Sequence, residues 1–195
     1  MVRTALWTAT SPMNAEAAVE VDGHKVLVTG TLNVGADGVQ PKALCADPKA
    51  RVRMEMWVKH LLGVASEKVE RTCLVQIGNR GRQGDDWETK GGDAPKAKRE
   101  LAEWVKAYAE WRDGVAPFSP TASADYALSE NADHARSVWQ GDRDGRGDAY
   151  QAREFGAGGP MARAEFGDLA NRLMEPIPTP VLGTGSRGAP KKGKA

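Results

Sequence analysis

Residues 25–66, KVLVTGTLNVGADGVQPKALCADPKARVRMEMWVKHLLGVAS, hold the pattern that decides the fold. Two extended runs, at residues 24–31 and 39–45, stand on either side of a glycine-containing turn. Residues 51–65 then repeat apolar side chains at the spacing of a helix. The side chains of this stripe are Met54, Trp57, Val58, Leu61 and Leu62. The segment therefore predicts two strands followed by an amphipathic helix.

A further strand is predicted at residues 17–21, because Asp22-Gly23 separates it from the run at residues 24–31. Asp-Gly between two extended runs is a strong signal of a β-hairpin. The residues before this hairpin show no clear periodicity. We therefore interpret residues 1–16 as a lead-in segment from a preceding domain.

Beyond the first helix, alternation at residues 69–77 predicts a fourth strand, and a strand in this position favours a return to the same sheet. Residues 78–93 are polar and glycine-rich, which predicts an exposed loop. Helical regions follow at residues 94–113, 121–139 and 163–174. We expect an α+β fold in which helices flank a small mixed sheet.

The last part of the chain is rich in proline, glycine and lysine, so residues 178–195 are expected to be disordered. Residues 17–177 are then the folded domain. The second helix is expected to turn one apolar face inward, formed by Leu101, Trp104, Val105, Tyr108 and Ala109.

The overall charge says little about function. The chain has 195 residues and a formal net charge of +1, so it lacks an overall basic field that would attract nucleic acid. Any contact with DNA must come from local patches. No apolar run reaches the roughly 18 residues of a membrane span, and the N-terminus lacks the apolar centre of a secretory signal. We expect a cytoplasmic protein.

Residues 30–66 resemble the C-terminal domain of the exodeoxyribonuclease V gamma subunit, the RecC family. The family has a strand of glycine and hydrophobic residues, an Asp-Gly turn, and a helix whose counterpart here is MWVKHL, residues 56–61. Three later stretches are similar to the family in the same order, at residues 101–117, 135–141 and 166–176. The resemblance spans about residues 17–177.

The resemblance implies a restriction-endonuclease-like fold, of the PD-(D/E)XK type, that has lost its catalytic activity. It also implies assembly with the RecB and RecD subunits in the RecBCD helicase-nuclease complex. That complex acts on double-stranded DNA ends in homologous recombination and double-strand-break repair. The family's full protein is much longer, so the resemblance covers only its C-terminal part.

Nucleases of this fold place an Asp at the end of one strand and Asp/Glu-x-Lys on the next. Those carboxylates hold Mg²⁺, which activates the attacking water, and the lysine stabilises charge on the phosphate. The aligned positions here are Asn33, Gln40 and Lys42. Amides bring no negative charge, so we expect a vestigial site that binds no metal or other cofactor and catalyses nothing.

A second interpretation treats Asn33 as a simple turn residue and Gln40 as a surface residue of a strand in another register. It also predicts no catalysis. Asp37 and Asp47 are the nearby acids that might rescue a metal site, but one lies in a turn and the other beyond the strand end. An active Mg²⁺-dependent nuclease is therefore the least favoured function.

Two short basic segments are candidates for DNA contact. Arg80 and Arg82 lie in the glycine-rich loop and could pair with phosphates. Lys96 and Lys98 begin the second helix, where positive charge opposes the helix dipole and so suggests an anionic neighbour. Solvated surface is the alternative for both segments.

Two tryptophans are candidates for a partner surface. Trp111 falls off the apolar stripe of its helix, and Trp87 lies in the polar loop. The sequence thus predicts a non-catalytic domain that supports assembly and DNA-end binding. A stand-alone protein-interaction module, or a decayed fragment with no role of its own, is the alternative.

Overall fold

The computed structural model describes residues 10–44, 50–76, 87–141 and 149–182. Strands come first and helices follow, and the strands form two small sheets with helices packed against them. The predicted α+β class is confirmed.

The first sheet is a long hairpin. Strand β1, Thr10–Val21, pairs antiparallel with strand β2, His24–Gly35. The predicted Asp22-Gly23 turn joins them, and both of its residues have positive φ, at 48° and 78°. Such a turn matches the right-handed twist of the two strands.

Strand β1 begins seven residues before the predicted strand, so residues 10–16 belong to the hairpin and not to a lead-in segment. Ala15 is the reason, because it pairs with Gly30 and is only 1% exposed in the core. The small alanines that face inward in β1 give only a weak apolar alternation. The sequence pattern therefore did not predict residues 10–16 as a strand.

The second sheet contains the predicted crossover. Strand β3, Val39–Leu44, lies parallel to strand β4, Arg71–Gln76. Helix α1, Ala50–Ala65, connects them. The predicted return of β4 to the sheet that holds β3 is therefore confirmed, and a parallel pair requires such a connection.

Strand β5, Trp87–Lys90, pairs antiparallel with β4 and corrects the prediction of an exposed loop up to residue 93. Its four residues are mostly polar and show no apolar alternation. This segment is extended because it pairs with β4, and its own sequence does not predict a strand.

Helix α1 covers the inner face of the hairpin. Trp57, Leu61 and Leu62 of the predicted stripe are buried, and Met54 and Val58 are partly buried. Met56, which the stripe did not include, is buried as well. Gly30 of β2 permits this approach, because a Cβ there would come within 2.9 Å of the Leu62 side chain. Burial of such a stripe supplies most of the stability of a helix of this length.

Six further helices follow in the described ranges, together with two short 3₁₀ turns at Gly156–Gly158 and Pro160–Ala162. None of the helices in these ranges is both long and apolar enough to cross a membrane. Their bounds are α2 Ala94–Glu110, α3 Pro120–Ser129, α4 Ala132–Gly141, α5 Ala149–Phe155, α6 Phe166–Met174 and α7 Thr179–Leu182.

The inward face of α2 differs from the predicted stripe at its C-terminal end. Tyr108 is 73% exposed and Ala109 is also exposed, whereas Ala107 is buried against Leu169 and Leu173 of α6. The helix packs against α1 and β1, and near its C-terminal end also against α6. A single stripe could not describe both contacts.

The chain remains ordered past the predicted start of the tail. Helix α7 places Val181 and Leu182 in the main core together with Ile177. Arg53 of α1 donates a hydrogen bond of 3.1 Å to the carbonyl oxygen of Val181. The prediction of disorder is therefore wrong for residues 178–182, and the rest of the predicted tail lies outside the described residues.

Candidate functional site

The central residue of the predicted site, Gln40, points into the protein. It stands opposite Thr72 in the parallel register of β3 and β4. Only 6% of it is exposed, and its Oε1 atom meets no hydrogen-bond donor among the described residues. A surface position on the strand, as the second interpretation proposed, is excluded by this burial.

Helix α1 brings two more polar groups to the same buried layer. The Nδ1 atom of His60 lies 3.0 Å from the Thr72 hydroxyl, and the His60 ring lies 5.2 Å from the ring of Trp57. The Trp57 Nε1 atom has no acceptor within the described ranges. We call Gln40, Trp57, His60 and Thr72 the buried polar layer.

The charge state of this layer is set by burial. His60 is 4% exposed, and desolvation lowers its pKa to about 4, so the ring is neutral at pH 7. The layer is therefore composed of neutral polar groups between α1 and the second sheet.

Asn33 lies in a different environment. It is exposed on the outer side of β2, while its neighbours Leu32 and Val34 are buried on the inner side. It pairs with Pro12 of β1 in the antiparallel register. One of the two predicted amide positions thus faces solvent and the other faces the core. That they share a former metal site stays a prediction.

Asp37 is occupied by local contacts. Its Oδ1 atom accepts a hydrogen bond from the backbone N–H of Val39 at 3.2 Å, and its Oδ2 atom lies 3.8 Å from Arg71. Asp47, the other acid considered above, lies outside the described residues. Within the described ranges, no three His, Cys, Asp or Glu side chains come together as a metal site would need.

Lys42 is exposed two residues beyond Gln40. On α1, the cations Arg51 and Lys59 each stand four residues from Glu55. The Lys59 Nζ atom is 2.6 Å from the Glu55 carboxylate. The pKa of Glu55 is lowered chiefly by this hydrogen bond, and Lys42 and Arg51 lower it further through their positive charge.

We call Lys42, Arg51 and Lys59 the α1 basic patch. Of these three residues, only Lys42 on β3 was identified from the sequence. The signal for the other two was present, because Arg51, Glu55 and Lys59 recur every four residues and so share one helix face. That Lys42 acts on the same Glu55 carboxylate depends on how α1 lies on the parallel β3–β4 pair and was not visible in the sequence.

The residues predicted to meet DNA are partly described. Lys96 is 68% exposed at the start of α2 and pairs with Glu100 at 3.7 Å. Lys98 is only half-exposed. Arg80 and Arg82 lie outside the described residues. The structure brings none of these described lysines into contact with Lys42.

Of the two tryptophans predicted to meet a partner, Trp111 is half-buried. It packs against the small apolar cluster that Ala107 of α2 forms with Leu169 and Leu173 of α6. Trp87 opens strand β5, and its side chain lies outside the described part of the chain. Partner binding through either tryptophan stays a prediction.

Comparison with known proteins identifies the family of this chain. A family model described as the RecC C-terminal domain matches residues 2–131, which is 130 of the 195 residues. This chain belongs to the RecC C-terminal domain family. The resemblance to this family is confirmed over residues 2–131, and the similar stretches at residues 135–141 and 166–176 lie beyond the match. No curated protein matches the chain.

RecC is a subunit of exodeoxyribonuclease V, the RecBCD complex, which acts in DNA repair. The match begins at residue 2, before β1, and ends at residue 131, shortly after the end of α3. They therefore include the hairpin, the β3-α1-β4 crossover, the buried polar layer and the α1 basic patch. Helices α4 to α7 lie beyond the match.

Proposed function

We propose that this chain is a non-catalytic C-terminal portion of a RecC-type gamma subunit. In this role it supports assembly with RecB and RecD and contributes to the binding of double-stranded DNA ends in recombinational repair. Family membership supports the assignment to this machine. The observation that carries the non-catalytic part is the burial of Gln40 beneath α1.

The order of elements supports a restriction-endonuclease-like origin. Three strands precede α1, and β3 runs parallel to β4 after the crossover. In a PD-(D/E)XK nuclease of this order, the second acid stands on the strand before the crossover helix. Gln40 stands there in this chain, with Lys42 two residues further along.

The chemistry of the buried polar layer argues against metal-dependent hydrolysis at that place. Mg²⁺ prefers hard, anionic oxygen ligands and gives up its water reluctantly. Gln40 offers one neutral amide oxygen, and its neighbours His60, Thr72 and Trp57 are neutral as well. Such a layer cannot neutralise a divalent cation or hold it beside a phosphate.

A cleavage assay tests the non-catalytic part. The purified 195-residue chain is incubated with blunt-ended duplex DNA and Mg²⁺, with and without EDTA, and no product is expected. The D37N/D47N variant is the control for contamination, because it lacks both acids that might rescue the site. EDTA-sensitive cleavage that disappears in this variant would overturn the proposal.

The assembly and DNA-end parts are tested separately. Tagged chain is expected to retain purified RecB or RecD, and to bind blunt duplex more tightly than a circular duplex. Failure with both proteins contradicts the assembly role, and equal binding of the two DNAs contradicts the role at ends. A stable fold that binds none of these would instead support a stand-alone module or a decayed fragment.

A further inference from the structure

The outward side of α1 carries two cations on one helix face. Arg51, Glu55 and Lys59 are four residues apart, so their side chains follow one another along the helix. Arg51 is exposed, and both Glu55 and Lys59 are about half-exposed. Glu55 is the single carboxylate between the two cations.

The strand beneath α1 adds a third cation. Gln40 lies under α1 beside Thr72, which contacts His60 in the C-terminal half of the helix. Because α1 runs back across the parallel pair, Lys42 lies closer to the N-terminal half of the helix. The lowered pKa of Glu55 agrees with this placement, since the charges of Lys42 and Arg51 are felt at its carboxylate.

These cations are not balanced within the described residues. Lys42 and Arg51 meet no carboxylate at ion-pair distance in the described ranges, whereas Lys59 has Glu55 alone. The first turn of α1 contains no acidic residue. Positive side chains there add to the positive end of the helix dipole, which is unfavourable unless an anion is near.

We propose that the α1 basic patch, Lys42, Arg51 and Lys59, binds the phosphate backbone of duplex DNA. This inference rests on the proposed function and names the surface that performs it. Arg51 and Lys59 are separated by about 12 Å along the helix axis, which corresponds to roughly three to four base-pair steps. Cations with this spacing can meet phosphates several base pairs apart, and such contacts carry no sequence preference.

The test measures binding of a fluorescently labelled blunt duplex to the 195-residue chain at several salt concentrations. The K42Q/R51Q variant removes two cations, and K96Q/K98Q removes two cations of the other predicted segment. Each lost phosphate contact should reduce the slope of log K against log salt by about one. We therefore expect K42Q/R51Q to reduce the slope by about two and K96Q/K98Q to reduce it much less.

The E55Q variant provides a test of opposite sign. It removes the carboxylate between Arg51 and Lys59 on the helix face, so DNA should bind more tightly to E55Q than to wild type. Circular dichroism and thermal melting of each variant ensure that all three remain folded. Because α1 keeps its buried face in every variant, changes in binding can be assigned to surface charge.

The outcomes separate this inference from the proposed function. If wild type binds duplex but K42Q/R51Q and E55Q are unchanged, the patch assignment is wrong and the proposed DNA role stands. If wild type does not bind duplex, both fail. If K42Q/R51Q keeps its DNA affinity but loses RecB or RecD, the patch is a protein-binding surface and the inference is overturned.

Discussion

At position 40, an amide and a carboxylate of almost identical shape would behave very differently, because the side chain is buried. Q40E introduces a carboxyl group whose folded pKa is raised by desolvation above its ordinary value of about 4.3. At pH values above the raised folded pKa, the variant should be less stable than wild type by roughly 2–4 kcal/mol. Below the ordinary pKa of about 4.3, the carboxyl is protonated in both the folded and the unfolded state, so the loss should vanish. Urea unfolding of both proteins at several pH values measures this.

Asn33 supplies the matched control for that substitution. N33D makes the same change of chemistry at an exposed position, so its effect on stability should stay within about 0.5 kcal/mol. Mg²⁺ should not raise the melting temperature of Q40E or of N33D/Q40E. A rise with Mg²⁺, or equal stability of Q40E and wild type at pH 7, would show that position 40 is open and not part of a closed layer.

His60 makes a second prediction at the scale of one residue. Its folded pKa of about 4 is below the unfolded value of about 6.5, so the neutral ring contributes stability that is present above pH 6.5. That contribution is lost as the pH falls from 6.5 toward 4. Between pH 7 and pH 5 the loss should be about 2 kcal/mol.

H60Q tests this by removing the titrating group while keeping a polar side chain opposite Thr72. Its free energy of unfolding should fall less than that of wild type between pH 7 and pH 5. H134Q is the control for loss of a histidine, because His134 is exposed. If H60Q and wild type lose the same stability on acidification, the prediction that the buried imidazole makes stability depend on pH is wrong.

The site was only partly predictable because its residues meet through long-range contacts. The amide positions Asn33 and Gln40 could be singled out from the family resemblance, and their vestigial role stays a prediction. The contact between His60 and Thr72 could not, since it requires α1 to lie on β4. Periodicity placed His60 next to the buried stripe but could not distinguish a rim position from a covered one.

At the scale of elements, the strongest local patterns were the reliable ones. The Asp22-Gly23 turn and the stripe of α1 were both predicted correctly, because each depends on neighbouring residues only. The first half of β1 and all of β5 were missed. These segments are extended because their backbones pair with β2 and β4. Their own side chains show no apolar alternation that would have predicted a strand.

Helices α2 and α6 are joined by an ion-pair cluster that makes a third prediction. Arg172 contacts Glu110 through two nitrogens, at 3.0 and 2.5 Å, and lies 3.8 Å from Glu103. The pKa of Glu110 is lowered chiefly by its hydrogen bond with Arg172. The pair therefore stabilises the fold above the ordinary pKa of a glutamate and loses that effect in acid.

A double-mutant cycle with E110Q and R172Q should give a coupling energy of about 0.5–1 kcal/mol, because the pair is bidentate but partly exposed. The coupling should decrease in high salt. The Glu55–Lys59 pair, measured with E55Q and K59Q, is the comparison, and a single contact within one helix should couple less. Equal coupling in the two pairs would contradict the role assigned to the bidentate geometry.

At the scale of the whole molecule, the family match and the folded unit do not coincide. The match ends at residue 131, whereas the main core includes Met174, Ile177 and Val181. Composition suggested a disordered tail from residue 178, because proline-rich segments usually lack the apolar content to pack. Here two apolar residues close to the predicted boundary are enough to hold α7 in place.

The last prediction concerns this C-terminal segment. A chain that ends after Leu182 keeps the contacts made among the described residues and is the reference for this test. A chain that ends after Glu175 loses the burial of Ile177, Val181 and Leu182, and each such side chain contributes about 1.5–3 kcal/mol. It also leaves the guanidinium of Arg53 without the Val181 carbonyl. This shorter chain should therefore be destabilised by several kcal/mol, which approaches the whole stability of a small domain. Thermal melting and urea unfolding of the two fragments measure the difference. Equal melting temperatures would show that α7 rests on the core without stabilising it.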